Sequence, residues 1–138
     1  MTVLETLQCI LSERNPGVRA MLYTGTMNIN DRESTLKEFT KEEDGPMLLL
    51  ASISAGNCGI NLTPCATCFI VDLSMNPFTE IQAINRVHRL TQKNEVKILR
   101  FYMKGMVEEM ILKSQQKKLT EAKSIGLTTH FELATVSN

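Results

Sequence analysis

The sequence predicts an α/β fold in which a parallel sheet carries helices on both faces. Segments with helical spacing of their apolar residues alternate along the chain with short apolar runs of strand length. The run 47–51 is apolar at every position, as in a central parallel strand that is covered on both sides. The 138 residues contain no internal repeat and no low-complexity linker, so they fit one domain.

The first predicted helix covers residues 3–13 and the first strand covers residues 18–23. The sequence Asn15-Pro16-Gly17 separates them, because proline and glycine at this point stop a helix. One face of the helix is apolar at helical spacing. Its central members are Leu4, Leu7 and Leu11.

A capping box of Asn30 and Glu33 predicts a second helix that runs to about Thr40. A charged turn then leads into the strand 47–51. The polar segment 52–61, which contains two glycines, follows this strand as a loop.

The second half of the chain begins with a continuous apolar strand over 67–73. Asn76-Pro77 is a favourable helix start, with asparagine as N-cap and proline at the first helical position, and this helix is predicted to reach Leu90. A strand over 96–102 and a helix over 107–123 follow. The residues of the last helix expected to face inward are Val107, Met110 and Ile111.

Composition excludes several classes of protein. The 43% hydrophobic content and the balance of 15 Lys+Arg against 15 Asp+Glu exclude a disordered segment and a bulk polycation. No apolar run reaches the roughly 18 residues of a membrane span, so no membrane partner is expected. The four cysteines are expected to be reduced intracellular thiols. Cys65 and Cys68 have zinc-ligand spacing, but a second such pair is missing, so no metal site is predicted.

Two segments are expected at the carboxyl ends of strands, where open α/β sheets bind ligands. Gly56 and Gly59 in the loop 52–61 allow positive φ and the close backbone approach that phosphate requires, although a plain strand-exit turn fits them too. Gln82, Arg86 and Arg89 follow one another at i, i+4 and i+7 and would share one helical face.

The two arginines have no acidic residue at helical spacing, so polyphosphate is a natural counter-charge for their guanidinium groups. A solvated face near a helix C-terminus is the alternative explanation. Residues 85–104 carry six basic residues against one acid, while residues 31–44 carry six acids against three bases. The chain is therefore neutral but polarised, which favours contact with nucleotide or nucleic-acid phosphates.

The sequence QAINRVHRLTQ, with GINLT upstream and MNPFTEIQ between them, resembles the second RecA-like lobe of the Swi/Snf-type DNA-dependent ATPases. LLLASISAGNCGINL resembles helicase motif V, QAINRVHRLTQ resembles motif VI, and the last helix resembles the closing helix of the family. The resemblance runs from about residue 3 to about residue 122. Departures such as Asn57 for glycine and Met75 for tryptophan suggest a divergent subgroup, like the viral global-transactivator branch.

The resemblance implies one half of an ATP site. ATP and Mg²⁺ would lie between this lobe and a first RecA-like lobe, which supplies most of their ligands. Arg86 and Arg89 would be the arginine fingers, and Gln82, Gly59 and Asn61 would line the nucleotide cleft.

Contact with DNA, most simply with the backbone of a duplex, would come from the loop and from the basic end of motif VI. The residues implied are Ser52, Gly56, Asn57 and Lys93. His88 is expected to pack rather than to react. The family implies a nuclear location, in the host nucleus for a viral protein.

The chain contains no G-x-x-x-x-G-K-[ST] sequence, no strand that ends in an Asp-Glu pair, and no strand before the helix 3–13. We therefore expect residues 1–125 to be a second lobe lacking its first strand, followed by a tail over 126–138. Such a lobe is not self-sufficient for ATP hydrolysis and needs a first lobe in the same longer chain or in trans. A truncated remnant, or a non-catalytic interaction or regulatory module, is the alternative, and a free-standing nucleotide-binding domain is disfavoured because most phosphate ligands are missing.

Overall fold

The computed structural model describes residues 2–41, 45–56, 59–92, 94–126 and 134–137. Helices and strands alternate in the order α1 (Val3–Arg14), β1 (Arg19–Tyr23), α2 (Ile29–Phe39), β2 (Met47–Ala51), α3 (Ile53–Gly56), β3 (Thr67–Ile70), α4 (Pro77–Val87), β4 (Lys97–Tyr102), α5 (Val107–Ser124) and β5 (Ala134–Ser137). The paired strands are all parallel, which confirms the predicted α/β class. None of the described helices has both the length and the apolar character needed to cross a bilayer.

The chain forms two compact units, Met1–Ile60 and Asn61–Asn138. In the first unit β1 pairs with β2, and Tyr23 at the end of β1 is only 2% exposed. The helix α1 begins at a capping box in which the Thr2 hydroxyl accepts from the Glu5 amide, while the Glu5 carboxylate accepts from the Thr2 amide at 2.7 Å. These contacts satisfy backbone donors that a helix start would otherwise leave unpaired.

The start of α2 differs from the prediction. The N-cap is Asn28, whose side-chain oxygen accepts from the Asp31 amide at 2.8 Å, and not Asn30. Glu33 forms an ion pair with Lys37 one turn further along, with 2.8 Å between the charged atoms. Each asparagine has an acidic residue three positions later, so the pattern does not favour the earlier one.

In the second unit the strand order is β3-β4-β5. A cluster of buried residues from β3, the segment after it, α4 and β4 forms its core, and Ile111 and Leu112 of α5 pack against it. The core members are Ile70, Leu73, Ile84 and Ile98. The strand β5 lies within the segment for which no element was predicted.

The inward face of α5 differs from the prediction. Val107 is 62% exposed and Met110 is 70% exposed, whereas Gln115 is only 1% exposed. The apolar residues at the start of α5 led to a wrong prediction of its buried face, because the polar residue Gln115 lies at the centre of the face that is buried. Ile111 was assigned correctly, since it packs against the core.

Gln115 belongs to a buried polar network that joins α4, β4 and α5. The Arg100 Nη1 donates to the Gln115 Oε1 at 2.9 Å and lies 3.4 Å from the Glu80 Oε2. The Gln115 amide donates to the Glu80 Oε1 at 2.6 Å, and the backbone amide of Ser74 donates to the same oxygen at 2.7 Å. Arg100 is only 8% exposed, so it does not contribute to a basic surface over 85–104 as the charge count had suggested.

Candidate functional site

The helix α4 carries two of the residues predicted for motif VI. Its N-cap is Asn76, as predicted, and the Asn76 side-chain oxygen accepts from the Phe78 amide at 3.2 Å. The helix ends at Val87, because His88 adopts an extended conformation while its amide still donates to the Ile84 carbonyl at 2.9 Å. The predicted end at Leu90 was three residues too late.

The early end of α4 changes the geometry of the arginines. Gln82 is exposed and Arg86 is half-buried, and both lie on the helix, one turn apart. Arg89 lies beyond the helix, in the segment that turns at Leu90 and Thr91. The prediction of one helical face therefore holds for Gln82 and Arg86 and is wrong for Arg89. The Arg86 Nε is buried and has no hydrogen-bond partner among the described residues, so its N–H is available to donate to an external acceptor.

The segment 61–65 lies against the C-terminal end of α4. The Leu62 amide donates to the Arg86 carbonyl at 3.0 Å, and the Cys65 amide donates to the Leu62 carbonyl at 3.0 Å. The exposed Asn61 accepts from the Thr63 amide at 3.3 Å. The structure thus brings the end of motif V, with Asn61, next to the residue of motif VI that was predicted to contact phosphate.

Gln92 makes a second connection between these motifs. Its side-chain amide donates to the carbonyls of Thr63 and Cys65, both at 2.8 Å, and its side-chain oxygen accepts from the Asn94 amide at 3.0 Å. Gln92 was not among the predicted site residues. The signal available was its place as the last residue of QAINRVHRLTQ, but the sequence does not show which groups its amide meets.

The first unit contains the residues that were predicted to contact DNA and that the structure describes. The Ser52 amide donates to the Tyr23 carbonyl at 3.2 Å, and the Ser52 hydroxyl accepts from the Ala55 amide at 3.3 Å. Gly56 is the last residue of the short helix α3, so only Gly59, with φ of 73°, uses the left-handed conformation that was expected of both glycines.

The predicted site residues are thus distributed over both units, and two of them are not described. Ser52, Gly56 and Gly59 belong to the first unit, and Asn61, Gln82, Arg86 and Arg89 belong to the second. Asn57 and Lys93 lie outside the described residues. The structure brings Asn61 and Arg86 together through the Leu62 amide.

The two cysteines of the CxxC sequence are partly buried free thiols in the second unit. Burial, with the neighbouring Cys68 as a smaller cause, raises the pKa of the Cys65 thiol to about 11. Burial also raises the pKa of the Cys68 thiol. Both groups are therefore protonated at pH 7 and suit a core position better than metal ligation. Within the described ranges, no three His, Cys, Asp or Glu side chains are grouped as metal ligands.

Comparison with known proteins identifies the family and its relatives. The helicase conserved C-terminal domain family matches residues 2–91. The DNA repair protein RAD5A of Arabidopsis thaliana is 45% identical over 116 residues, which are 83% of this chain and 11% of that protein. The DNA repair protein RAD5 of Cryptococcus neoformans is 38% identical over 115 residues, which are 83% of this chain and 9% of that protein.

A third relative and one solved structure extend the comparison. The helicase-like transcription factor CHR27 of Arabidopsis thaliana is 39% identical over 104 residues, which are 75% of this chain and 10% of that protein. The crystal structure of the C-terminal part of the Fun30 ATPase domain superposes with a TM-score of 0.74 at 33% identity, covering 82% of this chain and 35% of that one. The chain spans only 9% to 11% of the length of these three relatives. On this evidence the chain belongs to the helicase conserved C-terminal domain family and is a C-terminal helicase lobe with Swi/Snf-type relatives.

Proposed function

We propose that the chain is the second motor lobe of an ATP-dependent DNA translocase that remodels chromatin or regulates transcription. The observation that carries this proposal is the contact between the two motifs in the second unit, where the Leu62 amide bonds to the Arg86 carbonyl. A half-buried arginine, whose Nε has no hydrogen-bond partner in the part of the chain that the structure describes, therefore lies beside the loop of Asn61 in a helicase C-terminal domain.

Arg86 and Arg89 would act as arginine fingers on the γ-phosphate of ATP. Their guanidinium groups would stabilise the charge that develops on the transferring phosphoryl group, an effect of about 10³–10⁵ in rate where arginine fingers have been measured. Gln82, Gly59 and Asn61 would complete this side of the nucleotide cleft. ATP and Mg²⁺ would take most of their ligands from a first RecA-like lobe, because this chain has no phosphate-binding GK[ST] loop.

DNA would be held through its backbone phosphates, which position a motor without reading sequence. Ser52, Gly56, Asn57 and Lys93 are the proposed contacts. Their type and number fit backbone contact better than base stacking, since only 5% of the residues are aromatic. A nuclear location follows from this function and agrees with the relatives, whose names describe DNA repair proteins and a transcription factor.

The first experiment is to measure the mass of the native product on a blot with an antibody against residues 104–123. A band several times larger than 15.5 kDa supports a lobe within a longer motor, and a band near 15.5 kDa directs the search to a first lobe in trans. ATP hydrolysis with and without duplex DNA is then measured for the two-lobed protein. Arg86→Ala should abolish turnover, while Arg14→Ala, at an exposed arginine of α1, should not change it. Normal turnover in Arg86→Ala would refute the assignment.

A non-catalytic interaction module is the second candidate, and one observation favours it. Met106, Val107 and Met110 at the start of α5 are between 57% and 70% exposed, and exposed apolar groups of this kind can contact another protein. The two candidate functions predict different results when the Arg86→Ala variant replaces the protein in deletion cells. Full complementation of a deletion by Arg86→Ala would support the module, and failure to complement would support the motor.

A further inference from the structure

We infer that Gln92 is a positioning residue that couples the segment 61–65, at the end of motif V, to the arginine fingers, an inference that rests on the proposed function. The residue lies three positions after Arg89 and contacts the segment that follows motif V. It would contact neither ATP nor DNA itself. Its role would be to make the two motifs move together.

The side-chain amide of Gln92 contacts the backbone of the segment 61–65. Its amide group has two hydrogens, and these match two carbonyls, those of Thr63 and Cys65, at 2.8 Å each. A third carbonyl, that of Val87 at the end of α4, lies 3.5 Å from the same nitrogen. The Gln92 side chain therefore bonds to the segment 61–65 and lies next to the C-terminal end of α4.

Two backbone hydrogen bonds hold the segment that carries Arg89. On one side the Leu62 amide bonds to the Arg86 carbonyl, and on the other side the Gln92 backbone amide donates to the Arg89 carbonyl at 2.9 Å. Arg89 lies two residues beyond the end of α4, within the turn that this Gln92 backbone bond closes. A displacement of the loop 61–65 must then shift the turn that carries Arg89, and the Gln92 amide transmits this shift.

The physical consequence of losing the amide is specific. Methionine has nearly the same length as glutamine but no donor, so Gln92→Met would leave the Thr63 and Cys65 carbonyls without this partner. We expect the loop to open more often while the core of the unit stays intact. Gln92→Asn, which keeps the amide but shortens its reach, should have the same effect in a smaller degree. Gln116→Met, at an exposed position of α5, is the matched control.

The first test uses the 138-residue chain and does not depend on activity. Amide hydrogen exchange is measured residue by residue in the wild type, Gln92→Met and Gln116→Met. The amides of Leu62 and Cys65 should exchange about tenfold faster in Gln92→Met, with the amides of β4 unchanged as an internal reference. Unchanged exchange at both amides would overturn the inference, and faster exchange throughout the chain would show a general loss of stability instead.

The second test uses the two-lobed protein and measures ATP turnover with and without duplex DNA. Gln92→Met should lower the stimulation by DNA at least about fivefold, the lower end of usual coupling strengths, whatever it does to the DNA-independent rate. This ratio does not change when a variant merely lowers the folded fraction. If the wild type hydrolyses no ATP, the proposed function fails and the coupling fails with it. If the wild type is stimulated by DNA and Gln92→Met keeps the full ratio, only the inference about Gln92 is refuted.

Discussion

Removal of the Arg100 side chain should destabilise the second unit more than any surface change. Arg100 is 8% exposed and is bonded to Gln115 and to Glu80, which has no exposed surface at all. Arg100→Met keeps much of the side-chain volume but leaves the Glu80 carboxylate buried without its cation. Removal of one partner of a buried ion pair costs about 3–5 kcal/mol, because the remaining charge stays desolvated.

The assay is urea unfolding of the 138-residue chain followed by circular dichroism. At a slope of about 2 kcal/mol per M urea, a loss of about 4 kcal/mol lowers the midpoint by about 2 M. The exposed pair of Lys37 and Glu33, whose side chains are 72% and 62% exposed, supplies the control, since Lys37→Met should leave the midpoint almost unchanged. The double variant of Arg100→Met with Glu80→Leu should recover most of the loss, because no unpaired charge remains.

Two outcomes would contradict this reasoning. The first is a cost for Arg100→Met as small as that for Lys37→Met, which would mean that water or another group solvates Glu80 after the change. The second is a double variant no more stable than Arg100→Met alone, which would mean that packing, and not the unpaired charge, determines the cost.

Three further predictions concern local features. Asn76→Ala removes the N-cap of α4 and should lower the free energy of unfolding by about 1 kcal/mol, as measured by urea unfolding. Gly59→Ala should cost about 1–2 kcal/mol because Gly59 has φ of 73°, whereas Gly17→Ala, at a glycine without positive φ, should not. At pH 8 iodoacetamide should label Cys65 more slowly than the exposed Cys9, because a thiol with a pKa of about 11 is almost entirely protonated there; labelling of Cys65 should rise towards pH 11, and equal rates in the folded chain at pH 8 would contradict its burial.

The sequence predicted the elements whose signals are local. The run 47–51 became β2 with the predicted bounds, and Asn76-Pro77 began α4 as expected, because apolar runs and N-cap residues act within a few positions. The same local rules selected Asn30 in place of Asn28 as the cap of α2, where two similar residues lie two positions apart.

The features that sequence reasoning missed depend on contacts between distant residues. Gln115 faces inward because Arg100 and Glu80 lie opposite, 15 and 35 residues away in the chain, and no periodicity of apolar residues reveals such a partner. The end of α4 at Val87 was missed for a similar reason. The Gln92 amide, which meets the loop and lies near the Val87 carbonyl, is 27 to 29 residues from its two loop partners.

The contacts of Gln92 also affect what a comparison of many sequences could detect. The amide bonds to the carbonyls of residues 63 and 65, and every residue type has a carbonyl. The side chains at these two positions are free to change during evolution without loss of the contact, so correlated substitutions with position 92 are not expected. Methods that infer contacts from covariation would therefore miss this connection, whereas hydrogen exchange or a structure would reveal it.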